Sequence, residues 1–296
     1  MIRCTTVGFL LSIGLCGSAI AAESPEIFTP EITPISRAST SAFDLLSPAI
    51  KARSAYENGQ FNESFKNYSA VYLHDQDNVE ILLGVARSAL AIGKNDIAVK
   101  AYKRASQYEL KSEQAFEQFT GLVLAEIAAG ISENPETRLK QALKITPDDF
   151  RLWNSLGQFH DKKSQWRKSK EAYKKAHLAG FSLAGLNNNL GMSLLAQKKY
   201  AEAIPHFERA NHLDPEQKQF ENNHRFALLM LGDYASALQN IADDQAGDIL
   251  SDAGYIALKR EEYVLARMLL EKSIDISPRY NERAARNLEK LEARHN

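Results

Sequence analysis

The sequence predicts an all-α, right-handed superhelical solenoid of about seven helix-turn-helix repeats closed by a capping helix, and three observations predict it. The first is a self-match at a shift of 34 residues: NNNLGMSLLAQKKYAEAI, from Asn187, lies over ENNHRFALLMLGDYASAL, from Glu221, so that Asn188/Asn222, Asn189/Asn223, Leu194/Leu228, Tyr200/Tyr234 and Ala203/Ala237 coincide. The second is the spacing around Gly191, which has Leu190 before it and Ala203, Phe207, Ala210 and Pro215 after it. The third is the recurrence of those small and aromatic positions around Gly157, with Trp153, Leu156, Ser169, Tyr173 and Ala176. A period of this length belongs to stacked supersecondary units, each burying its apolar face only against its neighbours.

The pattern is that of the tetratricopeptide repeat: W-x2-L-G-x2-Y, then small, aromatic, small and proline. With its glycine as anchor, the repeats fall at Ala52 (Ser64, Tyr68), Ala86 (Ala98, Tyr102, Ala105), Val123 (Ala142, Pro147), Gly157, Gly191, Arg225 (Ala237) and Gly254 (Ala266, Pro278). Small residues are needed where the two helices of a repeat cross closely, and aromatic ones fill the remaining space. Gly191 is therefore expected at a tight crossing, where leucine overpacks and alanine is tolerated. In the third repeat Pro135 is expected to begin a shortened second helix. The sixth is five residues short between Ile241 and Ile249, so its second helix is expected to be truncated.

Four segments follow. Residues 1–21 read as a secretory signal, with Arg3 in front of the apolar run Val7 to Leu15 and the small-x-small site Ala19-Ile20-Ala21. Residues 22–44 form a Pro/Ser/Thr-rich linker, residues 45–278 the solenoid and residues 279–296 a capping helix. Both cysteines, Cys4 and Cys16, lie in the signal, so cleavage after Ala21 leaves no disulfide, thiolate nucleophile or cysteine-ligated metal. Cys16 follows Leu15 where a lipoprotein signal needs a small residue; membrane attachment is expected only if Cys16 is lipidated. The protein is expected in the periplasm, with an outer-membrane lipoprotein as the alternative.

The net charge of −1 argues against a nucleic-acid partner. Locally the charge is uneven: Lys162, Lys163, Arg167, Lys168, Lys170, Lys174 and Lys175 stand together with the single acid Glu171, whereas Asp243, Asp244, Asp248 and Asp252 cluster further on. A solvated face accounts for such a run, and an acidic partner or anionic lipid is the other reading. No G-x-S-x-G, H-E-x-x-H, P-loop or G-x-G-x-x-G is present, and the seven histidines show no ligand spacing on one helix face. No catalytic residue, metal site or cofactor is expected.

What rises above this background is a polar ladder. Asn154, Asn188 and Asn222 hold one position in three consecutive repeats, Ser251 holds it in the last, and Asn189 and Asn223 stand beside two of them. The position lies on the first helix of each repeat, which lines the concave groove in this architecture. Repeated amides can pair with the backbone of an extended peptide, or can tie neighbouring repeats together. One turn along, Met192, Phe226 and Tyr255 offer apolar and aromatic contact area.

The C-terminal half, from NNNLGMSLLAQKKYAEAIPHFERANHLDP to LSDAGYIALKREEYVLARMLLEKSIDISPRYNERAARNLEKLE, resembles tetratricopeptide proteins of the TadD type, which accompany Flp/Tad pilus machinery. The resemblance covers roughly Asp148 to Ala293. It implies an exported, non-catalytic adaptor that binds secretin or pilus-assembly components. That family is usually lipidated, and the residues before Cys16 depart from its pattern. A scaffold for outer-membrane protein biogenesis or cell-wall enzymes, and a non-catalytic part of a multi-subunit enzyme, are the alternatives.

Overall fold

The computed structural model describes residues 42–239, 241, 243–277 and 281–293. The signal, its cleavage site and Cys16 lie outside them, as do most of the linker and Pro278. The described chain is a succession of antiparallel helix pairs, all-helical as the sequence predicts, and it divides between Pro147 and Asp148 into two compact units. The first unit holds α1 (Ala42–Glu57) with α2 (Phe61–Tyr72), α3 (Val79–Ala91) with α4 (Asn95–Ala105), and α5 (Ser112–Ala128) with α6 (Pro135–Ile145). The second holds α7 (Phe150–Lys162) with α8 (Trp166–Leu178), α9 (Leu183–Ala196) with α10 (Tyr200–Leu213), α11 (Lys218–Leu231) with α12 (Tyr234–Ala237), α13 (Asp243–Lys259) with α14 (Tyr263–Ile276), and the closing helix α15 (Glu282–Glu292).

The backbone confirms the register at every repeat. Seven residues past each anchor the chain turns left-handed, at Gly59, Gly93, Gly130, Ser164, Lys198, Gly232 and Glu261. The next amide then reaches back five residues, as Gln60 N–H to Ala55 O (2.8 Å), Lys94 to Ala89 (2.9 Å), Gln165 to His160 (2.8 Å), Lys199 to Leu194 (2.9 Å) and Glu262 to Ala257 (3.0 Å). This closure satisfies the carbonyls that the end of a helix would orphan and reverses the chain for the second helix. Glycine takes the position without steric cost in four repeats; serine, lysine and glutamate hold it in the other three against a penalty of ~1–2 kcal/mol each.

Between the paired helices, small positions and rings interlock. A β-carbon on Gly157 would stand 2.4 Å from the Tyr173 ring, and one on Gly191 2.7 Å from the Phe207 ring. These are the anchors, so each ring sits in a slot of its own repeat. Alanine is thus not accommodated at Gly191 without moving the ring, contrary to the sequence expectation. In the first unit the anchors of the two ring-bearing repeats are Ala52 and Ala86, and the slot moves to the following repeat: Gly84 faces Tyr68 at 2.4 Å and Gly121 faces Tyr102 at 2.2 Å. The hydroxyls follow this tilt. The Tyr68 oxygen accepts from Arg87 Nη2 of the next repeat (2.8 Å), whereas Tyr173 donates to Asp161 Oδ2 of its own (2.7 Å).

The exceptional repeat explains its own sequence. α12 ends at Ala237, so the residue that would supply a ring in the second helix never arrives there. Arg225 stands where other repeats carry glycine or another small or apolar residue. Its Nε donates to Ala237 O (3.0 Å) and its Nη2 to Glu221 Oε1 (3.0 Å), closing the stunted helix with a side chain. As expected, α6 begins at Pro135. Two boundaries differ from the sequence reading. α1 starts at Ala42, three residues inside the expected linker, and tolerates Pro48 within its length. The closing helix begins at Glu282, where the Asn281 side chain caps it by accepting from Ala284 N–H (3.1 Å), and residues 279, 280 and 294–296 of the expected cap lie outside the described residues. Asn281 also donates to Ser273 Oγ (3.2 Å), which itself donates to Gly247 O (2.6 Å), fastening α15 to the last pair.

Candidate functional site

The ladder positions fall three residues before each anchor, and Met192, Phe226 and Tyr255 one residue after it. A spacing of four brings each two onto one face of their helix. In the second unit these faces belong to α7, α9, α11 and α13.

Most of the amides spend their capacity on one another. Asn189 Nδ2 donates to Asn154 Oδ1 (2.5 Å), Asn188 Nδ2 to Asn189 Oδ1 (3.3 Å), and Asn223 Nδ2 to Asn188 Oδ1 (2.7 Å). Four side chains therefore form a chain running from α7 through α9 to α11. Each link between helices joins residues 35 apart, one repeat and one residue. Half-buried amides gain from such partners, because an unpaired one would give up water for nothing.

The other predicted contact residues separate by exposure. Asn222 is exposed on α11 and lies outside the amide chain, and Phe226, one turn along, keeps 36% of its surface. Met192 is half-buried against the cluster of Leu195, Ala203, Phe207 and Ala227. Tyr255 is half-buried with Lys259 Nζ 5.5 Å above its ring. Ser251 is buried in α13, against which α15 packs, and so is withdrawn from any contact surface.

Asp161 was missed by sequence reasoning. It accepts from Tyr173 Oη and, through its other oxygen, from Ser193 Oγ (both 2.7 Å), joining α7, α8 and α9. Burial and then the Asp161 carboxylate push the Tyr173 phenol well above its usual value, so it remains the donor. The available signal was an acid four residues after the anchor, facing a tyrosine in the same repeat. Asn187, also overlooked, donates to Leu183 O (2.9 Å) and has His206 Nδ1 at 3.2 Å from its Oδ1. Burial lowers the proton affinity of His206, with Lys170 adding to it, and burial also lowers that of His224 beside Glu208.

Among the described residues no cluster of His, Cys, Asp or Glu could hold a metal ion, and no helix is long and apolar enough to cross a membrane. The arrangement provides positioned amides and one aromatic patch.

Known proteins share this architecture. The chain is 28% identical over 170 residues to BBSome complex member BBS4 of Bos taurus, a match covering 57% of this chain and 32% of that protein, so it spans about a third of that relative's length. Among solved structures it resembles the human IFIT1 dimer with m7Gppp-AAAA (TM-score 0.62, 18% identity, 84% of this chain and 63% of that one). It also resembles TTC0263, a thermophilic TPR protein of Thermus thermophilus (TM-score 0.51, 17% identity, 62% and 99%). At these identities the two structures speak for the fold. Through its match over residues 26–224, the chain belongs to the tetratricopeptide repeat protein 21 C-terminal ARM domain family.

Proposed function

We propose that this chain is a non-catalytic, exported adaptor that binds segments of envelope proteins on the first-helix face of its C-terminal unit, in assembly of a Flp/Tad pilus or its secretin. One observation carries the binding face: Asn222 and Phe226 stand exposed together on α11, beside helices already locked to one another by the amide chain. A surface fixed in advance loses less freedom when a partner docks. Repeats of this type bind protein partners in general, and families of this kind are generally non-catalytic. Membership of BBS4 in the BBSome supports a part in a multiprotein assembly. The pilus assignment rests on the resemblance of the C-terminal sequence, and export rests on residues 1–21.

A photo-reactive amino acid at position 226, with another at exposed Val264 on α14 as control, tests the reading in the native host. The proposal expects a discrete adduct from position 226 alone, identified by mass spectrometry as a secretin or pilus-assembly component. Adducts to cell-wall enzymes or outer-membrane assembly factors would move the protein to those processes. Equal adducts from both positions would remove the face. The intact mass of the exported protein separates cleavage after Ala21 from a lipid on Cys16.

A further inference from the structure

The basic run is a separate surface that the first-helix face does not use. α8 buries Ser169, Ala172, Tyr173 and Ala176 against its neighbours, and this spacing turns Arg167, Lys168, Lys170, Lys174 and Lys175 to solvent, with Lys162 exposed at the end of α7 and Lys163 exposed in the turn that follows. Several cations elsewhere have carboxylate partners, as in Arg87–Glu117 (3.4 Å), Arg104–Asp77 (2.9 Å), Arg138–Glu126 (2.9 Å) and Arg267–Glu292 (3.3 Å), and those without one do not stand in a run of seven. None of the seven cations of this run makes an ion pair among the described residues; Glu171, the acid within the run, pairs with none of them, and Asp161, just before it, is engaged by Tyr173 and Ser193. In a chain of net charge −1, that is an unmatched concentration of positive charge.

We propose that the exposed face of α8 binds an acidic, carboxylate-rich segment of a partner protein. Two cations are already held in place: Lys175 Nζ lies 4.5 Å from the Trp153 ring centroid and Lys163 Nζ 6.0 Å from that of Phe159. Such positioning lowers the cost of ordering long side chains when an anion arrives. The row is almost entirely lysine, which meets carboxylates as point charges, and Arg167 is the one guanidinium for bidentate capture of phosphate. Two aromatic rings beside the run are already engaged: Tyr173 is buried with its hydroxyl on Asp161, and Trp153 has Lys175 over its ring. A bilayer would need apolar residues to insert, and on α8 only Leu178, at its end, is an exposed large hydrophobic. The helix is about 20 Å long, enough for about six residues of extended chain.

The test uses the full mature chain and a fluorescent oligoglutamate peptide at low salt. The variant Lys168→Gln/Lys170→Gln/Lys174→Gln removes charge from α8, and Lys51→Gln/Lys66→Gln/Lys100→Gln removes the same charge from exposed positions in the first unit. The parent binds the peptide, the α8 variant loses on the order of tenfold in affinity, and the control changes less than about twofold, as three exposed charge contacts dictate. Thermal melts of all three proteins coincide. Equal losses in both variants, or no binding by the parent, would overturn the proposal. So would preference for phosphatidylglycerol vesicles or single-stranded RNA over the peptide, or self-association that the α8 variant abolishes. Because the substitutions lie away from Asn222 and Phe226, the outcome is independent of the adduct formed at position 226.

Discussion

Gly191 and Phe207 show how one missing β-carbon fixes a repeat. The ring occupies the space that alanine would need, and both residues are buried. Gly191→Ala should therefore cost about 1–3 kcal/mol through overpacking, read as a lowered urea midpoint. An unchanged midpoint would mean that the ring can shift freely towards the next repeat. In the first unit that shift is built in, because Gly84 and Gly121 receive the rings; in the second unit the equivalent places hold Asn189 and Asn223, which are committed to the amide chain. Substituting the anchor glycine thus presses on the same residues that tie the repeats. The sequence exposed the spacing of small and aromatic residues but not the tilt of the rings, which depends on a glycine two residues before the next anchor. Nor could it decide between amides facing a partner and amides facing each other, since both roles ask for the same residue at the same place.

At the scale of the helix pair, the seven left-handed turns are the most uniform feature of the chain, and three of them gave no signal in composition. Ser164, Lys198 and Glu261 hold a conformation that L residues adopt at a cost, because the helices on either side leave the turn no alternative. Lys198→Gly should relieve ~1–2 kcal/mol of strain while adding ~0.5–1 kcal/mol of unfolded-state freedom. The net expectation is a stabilisation of about 0.5–1 kcal/mol, seen as a raised urea midpoint. A lowered midpoint would show that the Lys198 side chain contributes more to the fold than its backbone costs. The sixth pair makes the complementary point. Its shortened second helix was legible as missing residues, but Arg225, which fits the repeat pattern badly as a sequence, proves to be the group that closes the gap.

For the molecule as a whole, stability and recognition draw on different residues of the same helix faces. Repeat proteins derive much of their stability from interfaces between neighbours, and the amide chain across α7, α9 and α11 is one such interface. Asn222 and Phe226 contribute little to that interface and remain available. The paired variants Asn154→Ala/Asn188→Ala and Asn222→Ala/Phe226→Ala separate the two roles most directly, each measured for thermal melting and for capture of the protein cross-linked at position 226. The first pair should lower the melt, at about 0.5–1.5 kcal/mol for each hydrogen bond lost, and keep the partner. The second pair should keep the melt and lose the partner. The reverse result, with binding lost in the Asn154/Asn188 variant at an unchanged melt and retained in the Asn222/Phe226 variant, would contradict the account and return the partner to the amides themselves.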